Sequence, residues 1–215
     1  THALLQQNSV KAPRLTSSKS KPAANKKVEA PKELLHPRSH DYPFLIRRWR
    51  AMAKSVGLRM RPFAESGGYP VYYLESQPTR PDVPSVYLSG GIHGDEPAST
   101  EALLSWVGSN PDLVRSLKLL IFPCLNPWGL VHNERCDEDG IDLNRGYRAN
   151  SPAVVQAQLA ILQGSHFDLA INLHEDYDAQ GAYLYEPAKA KPHWGEKLIE
   201  AMSTALPVNT RRKIE

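Results

Sequence analysis

The chain has 215 residues, 41% of them hydrophobic, with a formal net charge of +3 and a mean hydropathy of −0.46. That is enough apolar material for one sizeable globular domain, and no run approaches the ~18–20 consecutive apolar residues of a membrane span. The charge is uneven: residues 1–40 carry eight Lys and Arg against Glu29 and Glu33, a formal +6, which leaves −3 for residues 41–215.

Residues 1–40 are rich in Lys, Pro, Ser, Ala and Asn and read as a disordered basic N-terminal segment. The segment has neither aromatic residues nor an apolar period, so no specific nucleic-acid partner is expected. Thr1–Val10 lacks an apolar stretch long enough for a signal peptide. Folded sequence is expected from about residue 41, with the domain spanning 41–215. Phe44, Leu45, Trp49, Met52 and Ala53 recur at helical spacing and predict a helix from about Pro43 to Ser55, closed by Gly57. Strands are predicted at Leu58–Phe63, Val71–Leu74 and Ser85–Ser89, separated by Gly67-Gly68 and by a turn rich in Pro.

Ser99–Val107 reads as a helix with Pro97 in its first turn, and Lys118–Leu125 as a buried strand. The polar stretch Asn126–Ser151 has no period and is too long for an idle connection. Ser151 is expected to cap a helix that has Pro152 at its first position and runs to about Leu162. Asp168–Leu173 reads as another buried strand, Gly181–Tyr185 as strand-like, and Trp194–Leu206 as a helix. This alternation implies an α/β sandwich around a mixed or mainly parallel sheet. Cys124 sits in an apolar run and reads as a core residue, while Cys136 lies in a polar loop; a disulfide between them is not implied.

Two motifs carry the chemistry. Gly90-Gly91-Ile92-His93-Gly94-Asp95-Glu96 follows one apolar run, and His174 closes another. In open α/β sheets ligands collect beyond the carboxyl ends of strands, so neighbouring parallel strands would bring both imidazoles to one crevice. Two imidazoles and the Glu96 carboxylate match a catalytic zinc site with an open fourth position. Between them, Arg145 has the fork geometry to grip a carboxylate, with Asn144 beside it, and Arg135 is a fixed cation suited to a developing oxyanion. The alternative for both arginines is surface pairing with Glu134, Asp137, Glu138 or Asp139. Asp142 reads as a structural hydrogen-bonding residue. Asp176 and Asp178 suit either a basic substrate or a turn, and the turn is favoured.

The ordered set His93-Gly94-Asp95-Glu96, Asn126-Pro127 with Arg135, Asp142-Leu143-Asn144-Arg145 and Leu173-His174 resembles the carboxypeptidase A-like zinc carboxypeptidases. It is equally similar to their relatives, the succinylglutamate desuccinylase and aspartoacylase deacylases. The resemblance covers roughly Leu58 to the C-terminus. It implies a three-layer α/β/α sandwich and one zinc ion held by His93, Glu96 and His174. It also implies that Arg135 polarises the scissile carbonyl and that Asn144 and Arg145 hold the substrate's terminal carboxylate. The substrate would be a peptide or an N-acyl amino acid with a free carboxylate, hydrolysed at an amide bond by metal-activated water.

That family's general base is a glutamate on a later strand. Only 41 residues follow His174, and neither Glu175 nor Glu186 fits the position. The chain is therefore expected to be a fragment of a longer enzyme. Three functions remain open from the residues: a carboxypeptidase-type amide hydrolase, an N-acyl amino acid deacylase, and a non-catalytic metal-binding domain that recognises C-terminal carboxylates.

Overall fold

The computed structural model describes residues 36–209 apart from 79, 81, 149 and 188–191. The expectation for residues 1–35 lies outside the described residues. His36–His40 form a turn, and His40 Nδ1 lies 2.7 Å from the Leu130 carbonyl.

Helix α1 spans Tyr42–Val56. The Asp41 carboxylate accepts the Phe44 N–H at 2.8 Å, which satisfies one of the donors left free in a first turn. Gly57, at φ +83°, closes the helix with its N–H on the Ala53 carbonyl. Tyr42, Leu45, Ile46, Trp49, Ala53 and Val56 make the buried stripe, so the expected period holds and reaches one residue further at each end.

Strands β1 (Arg59–Ser66) and β2 (Tyr69–Glu75) form an antiparallel hairpin through Gly67-Gly68. After β3 (Ser85–Ser89) come α2 (Pro97–Ser109), the short α3 (Pro111–Ser116) and β4 (Lys118–Phe122). The strand expected to run to Leu125 stops at Phe122, because the backbone there turns to bond the loop after β3: the N–H groups of Leu125 and Asn126 both reach the Gly91 carbonyl. The aperiodic polar stretch contains α4 (Pro127–His132) and a single 3₁₀ turn at Leu143–Arg145. Then follow α5 (Ala153–Leu162), β5 (Leu169–Asn172) and α6 (Gly195–Ser203).

The sheet order is β1-β2-β4-β3-β5. β3 pairs in parallel with both β4 and β5, while β2 is antiparallel to β1 and to β4, so the sheet is mixed and its parallel half carries the strands next to the site. The alternation of side chains along a strand divides the core in two. Val86, Leu88, Leu119 and Ile121 pack with the buried faces of α1 and α2, whereas Tyr87, Leu120 and Phe122 pack with Val155 of α5. Helices thus cover both faces of the sheet.

Three local expectations are corrected. Ser151 does not cap α5: its hydroxyl donates to the Arg148 carbonyl at 2.6 Å, and Pro152 stands before the helix rather than in its first turn. β5 is only half-buried, since it pairs with β3 alone among the described residues. Gly181–Tyr185 forms no strand beyond an isolated bridge from Ala182 to Val208. Cys124 is buried, and both cysteines are free thiols.

Candidate metal centre

The site lies where β3 and β5 end side by side. Their parallel register places Ser89 opposite Asn172, and the Ser89 hydroxyl bonds the Asn172 side chain at 2.6 Å. Asp168 fixes the other end of the pair, its carboxylate accepting the Ser85 N–H at 2.8 Å. Chain leaving both strands therefore emerges in one crevice. Gly91, at φ +59°, begins the turn after β3. Gly94 then lets that turn lie directly on α4: a Cβ on Gly94 would stand 1.9 Å from the Gly129 carbonyl carbon.

His93, Glu96 and His174 converge so that one ligand atom from each lies within 4.8 Å of the others. Glu96 bridges the imidazoles: His93 Nδ1 lies 2.6 Å from Oε1 and His174 Nδ1 lies 2.9 Å from Oε2. The Glu175 N–H adds a bond to Oε2 at 3.1 Å. Burial pushes the Glu96 carboxyl up, but the hydrogen bonds from His174, His93 and the Glu175 amide outweigh it and hold the group at about 2. Glu96 is thus an anion enclosed by donors. The His93 side chain is 3% exposed and that of His174 is 35% exposed, so the cluster is closed on one side and reachable on the other.

The donor set fits a divalent ion of the zinc type. Both imidazoles present Nδ1 toward the same carboxylate, and a four-coordinate ion with bonds of roughly 2.0–2.2 Å would leave a ligand position free beyond these three. The opposite nitrogen of His93, Nε2, lies 3.1 Å from Asp142 Oδ1. An outer carboxylate of this kind fixes the tautomer and ring orientation of a ligating histidine. Asp142 in turn receives Arg135, with Nε and Nη2 at 3.2 and 3.1 Å from Oδ2. Burial raises the Asp142 carboxyl, and the neighbouring His93 and Arg135 outweigh it, so the group is lowered from its ordinary value.

Arg135 also lies 3.5 Å from Glu96 Oε1, and none of its ion pairs involves Glu134, Asp137, Glu138 or Asp139. Its position is set by Asn126, which is fully buried at the start of α4. The Asn126 side chain accepts the Gly129 N–H and donates to the carbonyls of Arg135 and Cys136. Glu138 ties the same loop to the β1–β2 hairpin through Ser66 and Gly67. Asn144 and Arg145 follow on the 3₁₀ turn. Asn144 is half-buried, its N–H bonded to Asp142, while Arg145 is exposed and has no ion pair among the described residues. Asp176 is a turn residue: its carboxylate accepts the Asp178 N–H and the Tyr183 hydroxyl.

Two residues with clear positions were not selected from sequence. Glu175 accepts the Ala98 N–H at the start of α2, and Tyr177 donates to the Asp95 carbonyl. Adjacency to His174 was the one available signal. Glu186 accepts the N–H groups of Trp194 and Gly195 at the start of α6, and Glu196 and Glu200 are exposed on that helix.

The profile of the succinylglutamate desuccinylase/aspartoacylase catalytic domain matches residues 82–208, which contain all of these site residues. The chain belongs to that family. It is also 30% identical over 93 residues to Carboxypeptidase SOL1 of Arabidopsis thaliana and 28% identical over 95 residues to Carboxypeptidase 2 of Trichophyton tonsurans. These stretches cover 37% and 39% of this chain but only 19% and 18% of the relatives, so the match spans about a fifth of their length. A crystal structure of a metallopeptidase candidate from Shewanella amazonensis shares the fold. It is 24% identical, with a TM-score of 0.73 over 82% of this chain and 72% of that one.

Proposed function

We propose that this chain is a zinc-dependent hydrolase of metallocarboxypeptidase type that cleaves an amide bond next to a free carboxylate. The observation that carries the reading is the convergence of His93, Glu96 and His174 at the ends of two parallel strands, with Asp142 behind His93. His93, Glu96 and His174 are the ligands in this reading. When bound there, zinc polarises a carbonyl and lowers the pKa of a coordinated water to about 7.

The protein's own groups set up the substrate. Arg135 offers donors beside the ligands to a carbonyl oxygen as negative charge develops on it, and Asp142 holds its guanidinium in place. Arg145, without a carboxylate partner among the described residues, grips the substrate carboxylate with two parallel hydrogen bonds, assisted by Asn144. Glu175, next to His174, and Glu186 already accept backbone N–H groups, so neither is assigned as general base.

The matched family favours a second reading, deacylation of an N-acyl amino acid, which uses the same carboxylate grip and differs in the acyl side. Elemental analysis tests the metal. The wild-type chain should hold close to one zinc per molecule, and His93→Ala and His174→Ala should each lose it. Zinc retained in both variants would sink the assignment. Hydrolysis of N-blocked dipeptides without hydrolysis of N-acyl amino acids selects the peptidase reading, and the reverse selects the deacylase.

A further inference from the structure

Helix α2 begins with an unusual division of labour. Glu96 occupies the capping position, but its carboxylate is turned onto His93 and His174 and makes no bond to the helix. Pro97 has no N–H, so the first free donor of α2 is that of Ala98. That donor is taken by Glu175, 77 residues away, at 3.0 Å. Glu175 therefore supplies the cap that Glu96 withholds, and its negative charge suits the positive end of the helix.

The same residue makes a second bond through its backbone, its N–H donating to Glu96 Oε2 at 3.1 Å. Two residues on, past Asp176, the Tyr177 hydroxyl donates to the Asp95 carbonyl. With the His174–Glu96 bond, four side-chain bonds thus join the segment after β5 to the turn after β3 and the start of α2, and Glu175 makes two of them. His174 sits directly before this strap, and Glu96 directly before the helix that Glu175 caps.

We propose that Glu175 is a positioning residue that fixes the separation of Glu96 and His174 by capping α2 from across the site. This inference rests on the metal-centre reading above. Losing the side-chain bond frees the start of α2 relative to the end of β5, so the ligand atoms no longer hold one spacing. An acceptor oxygen is what the position needs, and a glutamine retains one.

The test is zinc affinity by competition with a chromophoric chelator, together with the visible spectrum of the Co²⁺-loaded protein. Glu175→Ala should weaken zinc binding roughly 10- to 100-fold, the range for residues that orient metal ligands, and alter the Co²⁺ bands. Glu175→Gln should stay within about threefold of wild type with the wild-type spectrum. Asp41→Ala, which removes the cap of α1 away from the site, controls for general loss of stability: it should lower Tm without moving either readout. Wild-type affinity and spectrum in Glu175→Ala would overturn the positioning role alone. So would an equal loss in Glu175→Gln, or a matching loss in Asp41→Ala. A folded wild-type chain that binds no zinc would overturn the metal-centre reading and this inference with it.

Discussion

At the residue scale, the site turns on one carboxylate. Glu96 is held at about 2, below its ordinary value of 4.5, because the donors around it outweigh its burial. A carboxyl lowered on folding contributes stability that is present above its unfolded value and is lost as pH falls through the folded one. The metal-free wild type should therefore lose more stability than Glu96→Gln as pH is lowered from 6 towards 2. Urea midpoints measured across that range check this, and parallel curves for the two proteins would contradict it. The two arginines should separate kinetically. Arg145→Ala should raise KM for a carboxylate-bearing substrate and lower kcat less, because it removes positioning, whereas Arg135→Ala should mainly lower kcat. Steady-state kinetics of both variants on one substrate decide the matter. A silent Arg145→Ala or an unchanged kcat in Arg135→Ala removes the corresponding role.

At the element scale, the ligand-bearing turn is built on close backbone contact. Gly94 meets Gly129 of α4 with no room between them, and the obstacle is backbone on both sides. Gly94→Ala should cost about 1–3 kcal/mol or more, the range for overpacking a filled site, and should reduce zinc binding by displacing His93 and Glu96. Denaturant unfolding and metal titration of the variant would measure both effects. The helices and strands with strong patterns were legible from sequence. The buried stripe of α1 and the apolar run of β3 announce themselves through period and length. α3, α4 and the 3₁₀ turn were not legible, because helices of six residues carry too few turns to display a period. The cap of α5 was misplaced because Ser151 found a closer acceptor in the Arg148 carbonyl, a competition that local sequence does not reveal.

At the scale of the whole molecule, the metal and the fold should be linked. The ligands come from chain segments nearly 80 residues apart, so an ion that binds them binds the folded state. Zinc at 100 times its Kd should add about 2.7 kcal/mol of stability and raise Tm, with reversal by chelator. Thermal unfolding with and without zinc reads this directly, and a Tm indifferent to zinc in a loaded protein would argue against a folded-state site.

The amino-acid sequence by itself determined the class of the fold, the bounds of β3 and the identity of the three converging side chains. Those follow from apolar period, from glycines where a turn needs them, and from residue types that bind metal. The tertiary structure alone decided the rest. That β3 and β5 are neighbours and parallel is a matter of sheet order, which no local pattern encodes. The partnerships of Asp142 with His93 and Arg135, of Asn126 with the Arg135 loop, and of Glu175 with α2 likewise depend on where separate segments meet. A hydrogen bond is satisfied by whatever donor the fold brings within about 3 Å, and that choice is made in space rather than along the chain.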